Sequence, residues 1–422
     1  MGKRKHLIIG CGPAALAAVQ AIRGISPDDE IKLVTRESHL PYSPAALPYL
    51  LSGELREPQL FAKGEDCLKG MRAELIRGQE VLEFLPEKKQ VKYGDGQKEE
   101  YDKLLIATGS HPWVPPVEGL DGVQFYTFRT FKDFKKIQDP LQTPRTIAIY
   151  GAGFVAVELA EKLTLSGHSV LVIARSSLLR KYFGPQIRNA LKESLTKRGA
   201  RIFTDSPLRS VHQINKNLIL TMNGGATLAV DLLIIATGVV PNAVGSGSIR
   251  VVAGGLQTGR YMETSLPDVY AAGDVACAPA FFDDSPGVNP ILPEAIEEGK
   301  VAGYNMAGQK TAYRGWIPWN FLRCFDLHVF NIGLTGSGIA GMAEVVQKEH
   351  DDGFLRLILK DHVLVGVECF NRPSMNPGVF GYLITRRVPI GGYEELLLSK
   401  PMESASYLMV QHRRSQSGTF TT

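Results

Sequence analysis

The sequence predicts an α/β protein with two Rossmann-like dinucleotide-binding domains and a C-terminal α+β domain, and three observations support this. A short apolar strand running into G-x-G-x-x-A occurs at Gly10 and again 141 residues later at Gly151. Each copy is followed by a helix-period stretch and a second apolar strand, and each unit closes on a matching A-T-G, Ala107-Thr108-Gly109 and Ala236-Thr237-Gly238. From about residue 314 the pattern changes to β-rich stretches with helical segments after them.

In the first copy Leu7-Ile8-Ile9 reads as a buried strand, Gly10-Cys11-Gly12 as the turn and Ala14 to Ile22 as the helix. Ile31 to Val34 and Leu104 to Ile106 are further strands. Lys3-Arg4-Lys5 ahead of this run imitates the charged region of a signal peptide, but only the strand-turn-helix reading accounts for the glycines. In the second copy Ile147 to Tyr150 leads into Gly151-Ala152-Gly153, Val170 to Ile173 follows, and Leu232 to Ile235 precedes the A-T-G. A strand-turn signal then spans Thr264 to Val275, a helix is expected from Pro293 to Met306, and Phe354 to Leu359 and Val363 to Val367 are strands of the last domain. The expected organisation is a first domain in two segments, 1–114 and 245–313, around a second at 115–244. A third domain covers 314–410, and 411–422 is a flexible tail.

With 44 % hydrophobic and 21 % charged residues the composition is that of an ordinary globular chain. Forty-seven Lys and Arg against 43 Asp and Glu leave +4, which argues against a nucleic-acid binder. No apolar run reaches the ~18 residues of a membrane span, so a soluble protein is expected. The five cysteines (Cys11, Cys67, Cys277, Cys324, Cys369) form no C-x-x-C, which suggests neither disulfides nor an iron–sulfur site and favours a reducing, cytoplasmic compartment. Cys324 and Cys369 read as small buried hydrophobes. The nine histidines show no metal spacing, so no metal is expected, and His328 reads as a strand residue.

A glycine-rich strand-to-helix turn lets the backbone approach a pyrophosphate, which the helix N-terminus meets with free N–H donors and a partial positive charge. Gly10 and Gly12 permit that approach, and Ala15 packs helix on strand. An acid at the end of the second strand usually receives the adenosine ribose. In the first unit Glu37 stands slightly late, either as that ligand or as an ordinary surface acid. In the second, Ile173 is followed by Ala174 and Arg175 with no acid. Arg175, Arg180 and Lys181 suit a 2′-phosphate, and NADH held mainly through its phosphates is equally compatible.

These residues resemble the pyridine nucleotide-disulfide oxidoreductase class of flavoproteins over roughly residues 5 to 400. That class has FAD- and NAD(P)-binding domains and a C-terminal interface domain. The most specific likeness is Thr264 to Val275, similar to the second FAD motif, which assigns Asp274, after Gly273, to the flavin ribityl chain. The resemblance places FAD on Gly10, Gly12, Thr108 and Gly109, and the nicotinamide cofactor on Gly151 and Gly153; Gly238, closing the second A-T-G, is a further cofactor-binding candidate. Phe154 and Glu158 match an aromatic residue and a glutamate near the nicotinamide; Phe154 either gates the flavin face or fills the helix core. The helix opened by Pro293-Glu294 is implied to point at the flavin ring, so substituting Glu294 is expected to shift the flavin's potential.

The stretch Leu40 to Leu50 bears on the chemistry. In the branch that reduces CoA disulfide or peroxide this segment looks like C-G-L-P-Y, which aligns with Ala45-Ala46-Leu47-Pro48-Tyr49 and puts Ala45 in the cysteine position. No C-x-x-x-x-C exists in the chain, so no protein thiol relays electrons and no catalytic side chain is assigned. In the rubredoxin and ferredoxin reductase branch the segment looks like L-P-Y-x-R-P-P-L-S-K. Leu40-Pro41-Tyr42 and Leu47 agree with it, whereas Pro44 and Tyr49 replace its arginine and lysine. Tyr49 either lies near the flavin or is a plain core residue.

The resemblance therefore implies an FAD-dependent NAD(P)H oxidoreductase exchanging electrons with an iron–sulfur protein or subunit. One such setting is the NAD-linked electron-transfer subunit of a multisubunit 2-oxoacid oxidoreductase, and a homodimer is the other assembly expected. The alternatives are an NAD(P)H oxidase using oxygen directly and a redox-sensing flavoprotein acting by binding.

Overall fold

The structure, a computed structural model, describes residues 3–243, 249–339, 344–350, 353–371 and 375–417. It divides into two compact units.

The first unit comprises Met1–Trp113, Phe128–Asp139 and Gly238–Ile317. Its centre is a five-stranded parallel sheet in the order Val269–Ala271, Lys103–Ile106, Lys5–Ile9, Glu30–Thr35, Glu74–Arg77. The apolar runs form these strands because a parallel sheet covered on both faces buries every residue, and Leu7, Ile8, Leu33, Leu104 and Leu105 are all buried. Each such side chain stabilises the unit by roughly 1.5–3 kcal/mol. The helices Pro13–Ile25 and Leu292–Met306 add Ala15, Ile22, Val301 and Ala302 to the same core.

Phe128–Asp139, expected in the second domain, belongs to this first unit. Its Phe131–Gln138 helix opens on a reciprocal cap between Thr130 and Asp133, and the Phe131 N–H donates to the Tyr42 hydroxyl at 2.9 Å.

The second unit comprises Val114–Thr127, Pro140–Thr237 and Pro318–Thr422. It holds a second five-stranded parallel sheet in the order Arg201–Phe203, Ser169–Ile173, Thr146–Tyr150, Leu232–Ile235, Tyr126–Thr127. A five-stranded antiparallel sheet follows, in the order Trp319–Cys324, Leu327–Gly333, Val363–Phe370, Gly353–Lys360, Glu344–His350, with three helices after it in sequence. Cys324 and Cys369 are buried there, and His328 is a strand residue. The last helix runs Pro401–Ser417, so residues 411–417 are helical and not the expected loose tail. His412 Nδ1 lies 3.0 Å from the Tyr382 hydroxyl and Arg413 stacks over the Tyr382 ring, which ties that helix down. No helix among the described residues is long and apolar enough to cross a membrane.

Candidate functional site

In the first unit, Gly10-Cys11-Gly12, Ala107-Thr108-Gly109, Ala272-Gly273-Asp274 and Arg36-Glu37 each follow a strand of one parallel sheet. They therefore share the edge at the strands' C-terminal ends, where ligands of open α/β sheets bind. Gly10 has φ +109, and a Cβ there would stand 2.1 Å from the Ala107 carbonyl oxygen. The second unit repeats the contact, since a Cβ on Gly151 would stand 2.1 Å from the Ala236 oxygen. The first glycine of each G-x-G is thus required by the alanine of its own A-T-G.

The second glycines differ. A Cβ on Gly12 or Gly153 would meet nothing within 4 Å, so backbone and open space adjoin there. Each is the N-cap of a helix, Pro13–Ile25 or Phe154–Leu165, with no side-chain cap and no acid in the first turn. Uncapped N–H donors and an uncompensated dipole suit a pyrophosphate. Ala15 is buried, packing helix on sheet.

Asp274 Oδ2 accepts the Ser110 hydroxyl at 2.6 Å and Arg129 Nη2 at 2.6 Å, and Arg129 also donates to Ser110 Oγ at 3.1 Å. The Thr108 hydroxyl donates to the Asn242 carbonyl oxygen at 2.8 Å, and the Asn242 amide returns a bond to Thr108 O at 2.9 Å, which fixes the A-T-G turn. Glu37 is half-buried and accepts the Tyr42 hydroxyl at 3.3 Å. Ser43 Oγ is buried with no partner among the described residues, an orphan beside Pro44 and Ala45. Glycine cradle, acceptor carboxylate and orphaned hydroxyl together fit FAD. Arg129, Ser110 and Asn242 carry no motif; the T-x-x-D cap at Thr130 is the one signal that marks where Arg129 stands.

Two residues are placed otherwise than expected. The Glu294 carboxylate turns inward, accepting the Tyr313 hydroxyl at 2.6 Å and the Ile317 N–H at 3.2 Å, so the charge beside this helix start is already engaged. Its neighbour one turn on, Glu298, accepts the Gly273 N–H at 2.7 Å. Burial raises both carboxyls above the ordinary range. Tyr49 lies on the Leu47–Leu51 helix and is 38 % exposed, so it is not a core residue.

In the second unit, Phe154 opens the helix after Gly153, and its ring centroid lies 4.8 Å from that of Tyr182 and 6.2 Å from that of Phe183. Glu158 follows one turn later, its carboxyl pushed up to about 7 by burial and by Glu161, with Lys162 opposing. Arg175 is exposed beyond buried Ala174. Gly238, a further cofactor-binding candidate, falls in the first unit, where its carbonyl accepts the Trp113 N–H at 2.9 Å. No cluster of metal-ligating side chains exists among the described residues.

The sequence pattern of the pyridine nucleotide-disulphide oxidoreductases matches residues 4–302. The NADH-dependent phenylglyoxylate dehydrogenase subunit epsilon of Aromatoleum evansii is 32 % identical over 415 residues, 96 % of this chain and 97 % of the relative. Putidaredoxin reductase, solved in a covalent complex with putidaredoxin, superposes with a TM-score of 0.86 at 21 % identity, covering 97 % of this chain and 99 % of that one. A water-forming NADPH oxidase bound to NADPH, engineered by five substitutions, gives 0.85 at 24 % identity, covering 92 % of each chain.

Proposed function

The chain belongs to the pyridine nucleotide-disulphide oxidoreductase family, a flavoprotein oxidoreductase using FAD and a nicotinamide cofactor, and from that premise we propose that it works without a redox thiol. On this reading it exchanges electrons with an iron–sulfur protein or subunit, as the electron-transfer subunit of a 2-oxoacid oxidoreductase complex of the phenylglyoxylate dehydrogenase kind. The observation that carries it is Ala45 in the position of the family's cysteine, combined with the state of three further thiols among the described residues. Cys11, Cys277 and Cys324 are buried and free of disulfides. Burial pushes Cys11 up to about 11 and Cys324 up to about 12, so neither offers a thiolate at neutral pH. That Cys11, Cys277 and Cys324 form no disulfide also supports a reducing compartment, the cytoplasm.

FAD, when bound, would supply the chemistry of hydride exchange with the nicotinamide and of one-electron transfer. The chain's residues bind and orient. Gly10 and Gly12 open the backbone to the pyrophosphate, Asp274 presents an acceptor-only carboxylate to a hydroxylated chain, and Arg129 holds that carboxylate in place. Gly151, Gly153 and the uncapped helix start after them hold the second dinucleotide. In the engineered NADPH oxidase, three successive positions become Ala, Arg and Ser, and the fifth position beyond them becomes Arg. Ala174, Arg175, Ser176 and Lys181 stand in that order and spacing here, which supports a nicotinamide site tolerant of a 2′-phosphate.

The test is to reduce the purified flavoprotein anaerobically with nicotinamide and mix it with an oxidised [2Fe–2S] ferredoxin or, separately, with oxygen. Rapid ferredoxin reduction is expected. Turnover with oxygen alone would make the chain an oxidase instead, and failure of any nicotinamide to bleach the flavin would remove the oxidoreductase reading.

A further inference from the structure

We propose that Glu294, Glu298 and Tyr313 form a redox-linked proton site, in which the two carboxyls share one proton while the bound flavin is oxidised and take up a second when it receives two electrons. The inference rests on the flavoprotein reading above and assigns proton uptake to named side chains of the first unit.

The hydrogen bonds locate the first proton. Glu294 accepts at both oxygens, from the Ile317 N–H at 3.2 Å and the Tyr313 hydroxyl at 2.6 Å, which is the pattern of an ionised carboxylate. A phenol carries one hydrogen, and Tyr313 gives it to Glu294. Glu298 Oε2 accepts the Gly273 N–H at 2.7 Å, while its Oε1 stands 3.5 Å from a phenol oxygen with no hydrogen left to donate. An O–H on Glu298 Oε1 turns that meeting of two acceptors into a hydrogen bond. All three side chains are buried, so a second negative charge would go unsolvated, and burial raises both carboxyls above the ordinary range.

The site adjoins the segment assigned to the flavin. Gly273, which Glu298 holds, precedes Asp274, and a Cβ on Gly273 would stand 3.1 Å from the Ala14 Cβ and 3.7 Å from the Ala295 Cβ. Ala14 belongs to the helix opened by Gly12 and Ala295 to the helix of both glutamates, so the pyrophosphate turn, the ribityl carboxylate and the carboxyl pair converge. The other charged or titratable groups facing the pair are Asp274, Cys277 and Glu297, with Arg314 beside Tyr313. Asp274 is answered by Arg129, and Arg314 is exposed. The first turn of Pro13–Ile25 brings no acid or base.

A hydride carries two electrons and one proton, so its transfer from the nicotinamide to the flavin leaves one added negative charge at the flavin. In a poorly solvated site such a charge raises the proton affinity of a neighbouring carboxylate. Glu294 is the ionised member of the pair, and it takes one proton from solvent, forming one O–H bond, which reoxidation of the flavin breaks. Leu292 and Pro293, the first residues of its helix, are exposed and leave Glu294 a short way from water.

The test is the flavin midpoint potential of the purified holoprotein, titrated anaerobically with dithionite and mediator dyes between about pH 6 and 8, in the parent and in the double variant Glu294→Gln/Glu298→Gln. Each proton bound with a two-electron reduction adds about 30 mV per pH unit to the slope, since a tenfold change in such an equilibrium is about 29.6 mV. The parent's slope is expected to exceed the variant's by that amount, and equal slopes overturn the inference. A reduced-minus-oxidised infrared difference spectrum of the parent needs no variant to fold. It should show a carboxylate band lost and a carboxylic-acid carbonyl band gained, and absence of that gain overturns the inference as well. Neither readout uses a nicotinamide, so such a failure leaves the oxidoreductase standing. Failure of every nicotinamide to bleach the flavin would instead remove the oxidoreductase reading, whatever the potentials give.

Discussion

The Tyr313 hydroxyl donates to Glu294 Oε2 at 2.6 Å and lies 3.5 Å from Glu298 Oε1, so two buried carboxyls one helical turn apart face one phenol. Two like charges in so enclosed a place cannot both be ionised cheaply. Burial is the main cause that raises both above the ordinary value of 4.5. The folded chain therefore keeps a proton that the unfolded chain releases near 4.5, and stability falls as pH rises from there toward the folded pKa. Glu298→Gln keeps an oxygen for the Gly273 N–H and turns an amide donor toward Tyr313. Its melting temperature is expected to equal or exceed the parent's at pH 8, with a flatter slope between pH 5 and 8. Parallel slopes in thermal unfolding across that range would refute the shared-proton account.

The two glycines of the first turn should respond differently to alanine. Gly10→Ala drives a Cβ to 2.1 Å from Ala107 O at φ +109, and is expected to cost about 2–6 kcal/mol of stability. Gly12→Ala meets no protein atom within 4 Å, so the melting temperature of the FAD-free protein should hardly move while FAD affinity falls. If Gly12→Ala retains full FAD content, the pyrophosphate does not lie there.

That pairing also explains how much was legible in the sequence. The G-x-G and A-T-G repeats were visible as separate strings, and the fold brings each alanine oxygen against the glycine that must lack a Cβ for it. Short local patterns with a backbone cause survive translation into sequence. The Arg129–Asp274 contact spans 145 residues and leaves no periodic trace. The direction of the Glu294 side chain was equally hidden, because its helix predicts only where Glu294 begins and not that Tyr313 and Ile317 will claim its oxygens. Residues 411–417 read as a tail because they are polar, yet His412 and Arg413 find the Tyr382 ring.

Asp274 should be the most sensitive polar residue for flavin retention. Asp274→Ala removes a carboxylate and leaves Arg129 without its 2.6 Å partner, and loss of charge-assisted hydrogen bonds weakens binding by about ten- to a hundredfold. Lys135→Ala, which breaks the half-exposed pair with Glu57 and the ammonium's contact with the Phe131 and Phe134 rings, should leave FAD affinity within about twofold. Equal flavin-to-protein absorbance ratios in Asp274→Ala and the parent would dismiss the ribityl role.

The proposed mechanism without a redox thiol has a stoichiometric consequence. A reductase with a cysteine against its flavin can store electrons in both sulfur and cofactor, whereas Ala45 stores none and Cys11, raised by burial to about 11, stays protonated. One equivalent of nicotinamide should therefore bleach one FAD completely under anaerobic conditions. No long-wavelength band of a thiolate lying over the oxidised ring should form between pH 6 and 9, because the Cys11 thiol is hardly ionised below its shifted value. A requirement for two equivalents per FAD, or such a band rising near neutral pH, would place a reactive sulfur at the flavin and return the chain to the thiol-dependent branches of its family.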